Sequence, residues 1–332
     1  MTRLPLARVF RIVLMLCVAL YPLLFGTGGA TTLLDTVFAF AVFAMSYDLL
    51  IGYTGIVSFG HAMFFGTGAY AVSICLNQMH GTSFSLVIGT GAVVGTAVVL
   101  GLFVAFLSLR VRDAYFAMIT LAVGEVFAVL AGSQALRHLT NANDGMTVTP
   151  PQWLNGDLQI YYMCLVLLAV SFWFLRRFVQ SPIGDVLRAV RENEQRAVGL
   201  GHSVVWFKTL AFIVSGVLAS LAGAVFALSQ AFVSTSVYSV ANISLMVLLM
   251  VMIGGVGTLS GGMIGAAVLV LSQSWLSNFG TQIPLLENYP ILFGILYIVV
   301  VRFMPNGLLG GLHRLGGRFT WKNRSPLRKQ QI

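Results

Sequence analysis

Charge is scarce in this sequence. Of its 332 residues only 9% are Asp, Glu, Lys or Arg, against 58% hydrophobic, and a soluble domain needs far more charge to clothe its surface. With a mean hydropathy of +0.91, the composition specifies an integral membrane protein. Cysteine is also scarce. Cys17, Cys75 and Cys164 fall within or at the ends of apolar runs without paired spacing, the pattern of small buried residues and not of a disulfide or metal framework. The five histidines, at 61, 80, 138, 202 and 313, form neither H-E-x-x-H nor a Cys/His cluster, so a metal site has no support. Lysine occurs only at 208, 322 and 329. None follows the glycine-rich block GGVGTLSGGMIG in the register of a phosphate loop, which excludes ATP hydrolysis by that route. No nucleophile, base and orienting group stand at a recognisable spacing, and the chain reads as a non-enzyme.

Long apolar runs fill the space that charge leaves. Ten of them, near 9–25, 33–51, 59–76, 86–107, 114–133, 160–175, 208–231, 243–256, 259–277 and 290–304, are candidate spans, since about 20 apolar residues cross the hydrocarbon core. The short runs at 243–256 and 290–304 read as possible broken or re-entrant helices. The first run has a basic start but no convincing A-x-A cleavage site after it, and is expected to remain as a helix. With the N-terminus inside, the inner segments collect every Lys and Arg except Arg137, which fits the rule that basic residues accumulate in cytoplasmic loops. The expected fold is therefore all-α and polytopic, one transmembrane domain over 1–332 with about ten transmembrane helices and both termini cytoplasmic. A basic cytoplasmic tail occupies 305–332. The net charge of +9 follows from this bias and from anionic inner-leaflet lipid, so no nucleic-acid partner is invoked.

Two polar interruptions divide the chain. GSQALRHLTNANDGMTVTPPQWLNGD, within 132–158, carries the Asn, Gly, Thr and Pro signals of an ordered extracytoplasmic loop. The inner interruption, 181–206, holds Arg188, Arg191, Glu192, Glu194 and Arg196, with Lys208 just beyond. Ser181 is placed to cap a helix that has Pro182 at its first position. At 100° per residue Leu187, Val190, Ala197, Val198 and Gly201 share one face, opposite Arg188, Glu192, Gln195 and Arg196. A membrane-surface helix is one reading of this amphipathic pattern. Small residues on the apolar face and charges of both signs on the other suit a protein groove better.

Three further features stand out. GYTGIVSFGHAMFFGTGAY gathers glycines with Ser58, Gly60 and His61 at the start of an apolar run. It reads either as a broken helix at a translocation path or as a tight turn followed by a glycine-rich packing face. Gly257, Gly261 and Gly265, and likewise Ser215, Ala219, Gly223 and Ala227, repeat every four residues, which lets helix backbones approach closely. Glu125 lies twelve residues into its span, near the midplane, where a carboxylate is expensive unless paired or hydrated. A pathway role and a structural hydrogen bond are both open to it.

The inner stretch resembles the coupling loop of ABC importer permeases, the cytoplasmic helix that docks into a cleft of the ATPase subunit. The loop's Glu-Ala-Ala, then Gly four residues on, corresponds to Gln195, Arg196, Ala197 and Gly201. Six ordered blocks extend the likeness: SYDLLIGYTGIVSFGHAMFFGTGAY, RVRDAYFAMITLAVGEV, TNANDGMTVTP, SPIGDVLRAVRENEQRAVGLG, IGGVGTLSGGMIGA and MPNGLLGG. Together they resemble the branched-chain amino-acid importer permeases of the Liv type, above all the M-type member. Asp48 departs from the neutral Asn expected there. The resemblance implies a bacterial inner-membrane subunit paired with a homologous second permease, two ABC ATPase subunits and a periplasmic solute-binding protein. ATP and Mg would belong to the ATPases, with no cofactor in this chain. It further implies transport by ATP-driven alternating access, with coupling carried by Arg188, Arg191, Glu192, Glu194, Arg196, Ala197 and Gly201. Sister systems for urea, amides or aromatic acids, and an ATP-independent secondary transporter, are the alternative readings.

Overall fold

The computed structural model describes residues 20–24, 26, 28–79, 81–108, 113–280, 294 and 307–308. The long elements are helices: α1 Gly29–Asp48, α2 Ala62–Gln78, α3 Ser83–Ser108, α4 Asp113–Gly132 and α5 Asp157–Val179. Then come the short pair α6 Pro182–Glu192 and α7 Glu194–Gly199, followed by α8 Val204–Gln230, α9 Leu245–Gly254 and α10 Leu259–Gly280. Among the described residues six helices are long and apolar enough to cross a membrane. They match six of the ten expected spans. α2, with 17 residues, and α9, with 10, are shorter. The expected first and last spans, 9–25 and 290–304, and the basic tail fall almost wholly outside the described residues.

α1 and α8 form the centre. α8 packs on α1, α2 and α3, while α1 also meets α5, α9 and α10. Phe40, Phe43, Phe65 and Phe226 interlock between α1, α2 and α8, with Phe43 and Phe65 centroids 4.8 Å apart. Hydrocarbon tails are as apolar as Leu, so close packing rather than burial from water holds such helices together. Small residues make that contact possible. A methyl group on Gly68 would overlap the Ser220 carbonyl, and one on Gly223 the Phe65 carbonyl. α3, α4 and α5 ring this centre and turn apolar side chains outward, among them Val99, Met118, Val129 and Trp173.

Two of the connections between helices depart from α geometry. α1 runs into a π-helical turn, Leu49–Thr54, closed by Gly55 at φ +74. Residues 55–61 are irregular, and α2 begins only at Ala62. In the second, α8 ends in a tight turn at Ala231, and a 3-10 turn at Thr235–Tyr238 leads through the π-helical Val240–Ser244 into α9. The interruptions lie side by side and satisfy each other. The Ala62 N–H donates to Ser244 Oγ at 2.9 Å, and the Phe59 N–H to Thr120 Oγ1 of α4 at 3.2 Å. Non-helical backbone enclosed by packing needs such internal partners.

The fold is all-α but for a two-residue antiparallel pair, β1 Met146–Thr147 with β2 Phe232–Val233. It ties the 132–158 loop to the chain just beyond α8. Asn77 at the end of α2 reinforces the tie, its Nδ2 donating to the Thr147 carbonyl at 2.7 Å. This loop and the α6–α7 pair therefore sit at opposite ends of α8.

Candidate functional site

The irregular segment 55–61 delivers two polar side chains to the interior. His61 and Ser58 are both fully buried. The imidazole stacks on Phe43 at 5.3 Å and meets Tyr47 edge-on at 5.2 Å. Its Nε2 lies 3.2 Å from Ser46 Oγ and 3.4 Å from Ser215 Oγ. Each hydroxyl already donates its single proton, Ser46 to the Phe43 carbonyl at 2.7 Å and Ser215 to the Ser46 carbonyl at 2.5 Å. The network therefore assigns the imidazole proton to Nε2, which donates towards both serine oxygens. Nδ1, Ser58 Oγ and Tyr47 Oη are left without a hydrogen-bond partner among the described residues. Gly60 is buried where a methyl group would overlap the Thr120 carbonyl of α4.

These three residues thus join α1, α2, α4 and α8 in one packed cluster. The segment is an irregular connection between two helices, and its polar groups point into that packing. Ser46, Thr120 and Ser244 belong to the cluster but gave no motif, because small hydroxyl residues in apolar runs look alike whichever way they face; Ser215, read only as a step in a packing ladder, belongs to it too. Glu125 lies apart. It is exposed on the outer face of α4 with Tyr115, Met118 and Val129, while its neighbour Gly124 packs on Gly60. A groove lined by Thr67, Thr96, Val99 and Phe127 opens between α2, α3 and α4 and includes none of the four.

The charged inner stretch forms two helices where one was expected. Ser181 and Pro182 stand at the start of α6 as expected, although the Ser181 hydroxyl donates to the Phe178 carbonyl at 2.6 Å and makes no cap; Asn193 adopts an extended conformation and caps α7 by accepting the Arg196 N–H at 2.9 Å. That break divides the apolar face. Leu187 and Val190 pack inward, and so does Ala197, 1% exposed against Val190 and Val204. Val198, Leu200 and Gly201 face out. The small-residue docking face expected at Ala197 is thus this chain's own packing surface, and the outward apolar group is Val198 and Leu200. Glu192 and Arg196 are exposed beside it. Lys208 of α8 holds Glu194 at 2.9 Å, Arg188 lies over the Tyr53 ring at 5.5 Å, and Arg191 donates to the Gly52 carbonyl.

The glycine ladder divides similarly. Gly261 and Gly265 pack α10 on α9, where methyl groups would overlap the Gly254 and Met250 backbones. Gly257 is not part of that helix. It lies in the α9–α10 turn at φ +81, a backbone shape that favours glycine, and donates its N–H to Asp48 Oδ1 at 2.7 Å. Gly223 packs α8 on α2, and Ala219 is fully buried. Among the described residues no group of His, Cys, Asp or Glu could hold a metal ion.

Residues 29–301 match the family described as the permease component of branched-chain amino acid transport systems. The chain belongs to that family. It is 25% identical to the high-affinity branched-chain amino acid transport system permease protein LivM of Salmonella typhimurium, across 91% of this chain and 75% of the relative. LivM of Escherichia coli K12 is 24% identical over the same shares. LivH of Salmonella typhimurium is 23% identical, across 82% of this chain and 91% of its own length. No solved structure matches. The permease is thus a multi-pass inner-membrane protein of a transport family whose relatives include two kinds of permease subunit.

Proposed function

We propose that this permease is the membrane-spanning subunit of a binding-protein-dependent ABC importer for branched-chain amino acids, working by ATP-driven alternating access with ten crossings and both termini cytoplasmic. The family match over 29–301 carries this reading, and the anchored α6–α7 pair supports it. An ATP-driven importer needs a cytoplasmic element that receives force from an ATPase and is bonded to the spans. α6 packs on α5 and α8 and is tied to the end of α1 through Arg191, while Val198 and Leu200 stay uncovered on α7's far side. Two apolar side chains among Glu192, Gln195 and Arg196 form a small knob suited to a protein cleft.

The partners in this proposal are a homologous second permease, two ATPase subunits that hold ATP and Mg, and a periplasmic solute-binding protein. Glu125 is assigned to the seam between the two permeases, where a midspan carboxylate can be hydrated. Ser58, Gly60 and His61 are assigned to the packed wall beside that seam. The test is uptake of radiolabelled leucine by proteoliposomes holding the full complex. ATP-dependent uptake, competed by isoleucine and valine, is expected. Competition by urea, short amides or aromatic acids instead would move the permease to a sister system, and uptake undiminished without ATP would make it a secondary transporter.

A further inference from the structure

Three pieces of chain far apart in sequence close on one another at the inner end of α1. Arg191 leaves α6 and donates from Nη1 to the Gly52 carbonyl inside the π-helical turn. Its aliphatic stem lies against Gly55, and Nη1 lies beside Gly257 of the α9–α10 turn. Gly52 is pressed between the Asp48 carboxylate and the Gly257 backbone, with no room for a methyl group. Asp48 completes the ring by accepting the Gly257 N–H at 2.7 Å. It is 0% exposed, and its Oδ2 has no hydrogen-bond partner among the described residues.

The chemistry of this ring is unequal. The Asp48–Gly257 bond has its carboxylate fully enclosed in the packing and fixes the α9–α10 turn to α1, so those two move as one body. The Arg191 bond is a single charge-assisted contact from an exposed side chain to a backbone oxygen. Such a bond is strong in place and lost on a small displacement. It ends in a π-helical turn, a local departure from α geometry of the kind often found at functional positions. We infer that Arg191 is the positioning residue through which displacement of α6 reaches α1 and the α9–α10 turn together, with Asp48 and Gly257 joining those two into one moving unit. This rests on the reading that α6–α7 receives an ATPase.

The test uses the complete transporter in proteoliposomes and records ATP hydrolysed per solute moved, a ratio that a merely stabilising contact would not change. For Arg191→Gln, assembly and hydrolysis are expected to persist while solute moved per ATP falls about tenfold or more, the size set by one lost charge-assisted bond. Arg191→Lys, which keeps the charge and a donor, recovers part of the loss. Asp48→Asn keeps the acceptor for Gly257 and transports near the parental ratio, whereas Asp48→Ala behaves like Arg191→Gln. The proposal is overturned if Arg191→Gln and Asp48→Ala keep the parental ratio. It is equally overturned if Arg191→Gln sheds its ATPases, since the role would then be assembly. A parental chain that never recruits ATPases strikes the underlying reading instead, and that result is seen before any variant is made.

Discussion

Removing the His61 imidazole would strand two serine oxygens that accept its Nε2 proton inside the helix packing. His61→Phe keeps the stack on Phe43 but deletes the donor, and one buried group left unsatisfied costs about 1–3 kcal/mol. The expected outcome is a lower unfolding temperature in detergent with the fold retained, and a melting curve that does not move would show those contacts to be idle. Glu125 makes the opposite case. An ionised carboxylate exposed at midspan is expensive against lipid, so a lipid-facing Glu125 would be improved by Glu125→Leu. A residue on the hydrated seam loses uptake in both Glu125→Leu and Glu125→Gln, with assembly intact. Normal uptake by Glu125→Gln would remove it from the pathway. Its position along the helix was plain from the sequence, but its facing was not, because α4 is apolar all round.

At the scale of elements, the α6–α7 pair separates two roles that one amphipathic arc had merged. Leu200 is 72% exposed, so Leu200→Asp leaves folding and insertion unchanged and is expected to release ATPase subunits on purification, with loss of ATP-dependent uptake. Ala197 is packed inside this chain, and Ala197→Leu overfills that space at a cost of about 1–3 kcal/mol. Its expected effect is a reduced yield of folded permease, read by size-exclusion chromatography of the fluorescently tagged chain, with ATPases still bound to whatever folds. Gly201 is a poorer probe, since its φ of +86 strains any side chain there. Pro182 announced the start of α6 because the fixed φ of a proline at the first helical position is a local property. The break at Asn193 was hidden because helical periodicity resumes after one residue, and only the cap it gives to the Arg196 N–H marks the second start.

For the whole molecule, the loop holding Asp144 and the pair holding Glu192 lie at opposite ends of α8, as the distribution of basic residues requires. A cysteine at 144 is expected to react with an impermeant maleimide in intact spheroplasts and one at 192 only after lysis; reaction at 192 from outside would invert the topology. The six long spans were legible because an unbroken apolar stretch of about 20 residues suits the thickness of a bilayer and little else. The irregular connections were less so. Glycines at 52, 55 and 60 signal irregular backbone near α2, yet nothing local reveals that the partner of the Ala62 N–H is Ser244, far along the chain.

That partnership has a consequence for how the protein enters the bilayer during synthesis. α2 emerges from the ribosome long before Ser244, and at 17 residues it is short for a span that must stand alone in lipid. Until the π-helical Val240–Ser244 arrives, the Ala62 N–H lacks the hydroxyl that meets it in the finished fold, and unmet backbone groups are costly in hydrocarbon. The 55–78 segment is therefore expected to settle late, once Val240–Ser244 has been made. Chains truncated before residue 240 should leave it accessible to water-borne labels, while those carried past α9 should seal it.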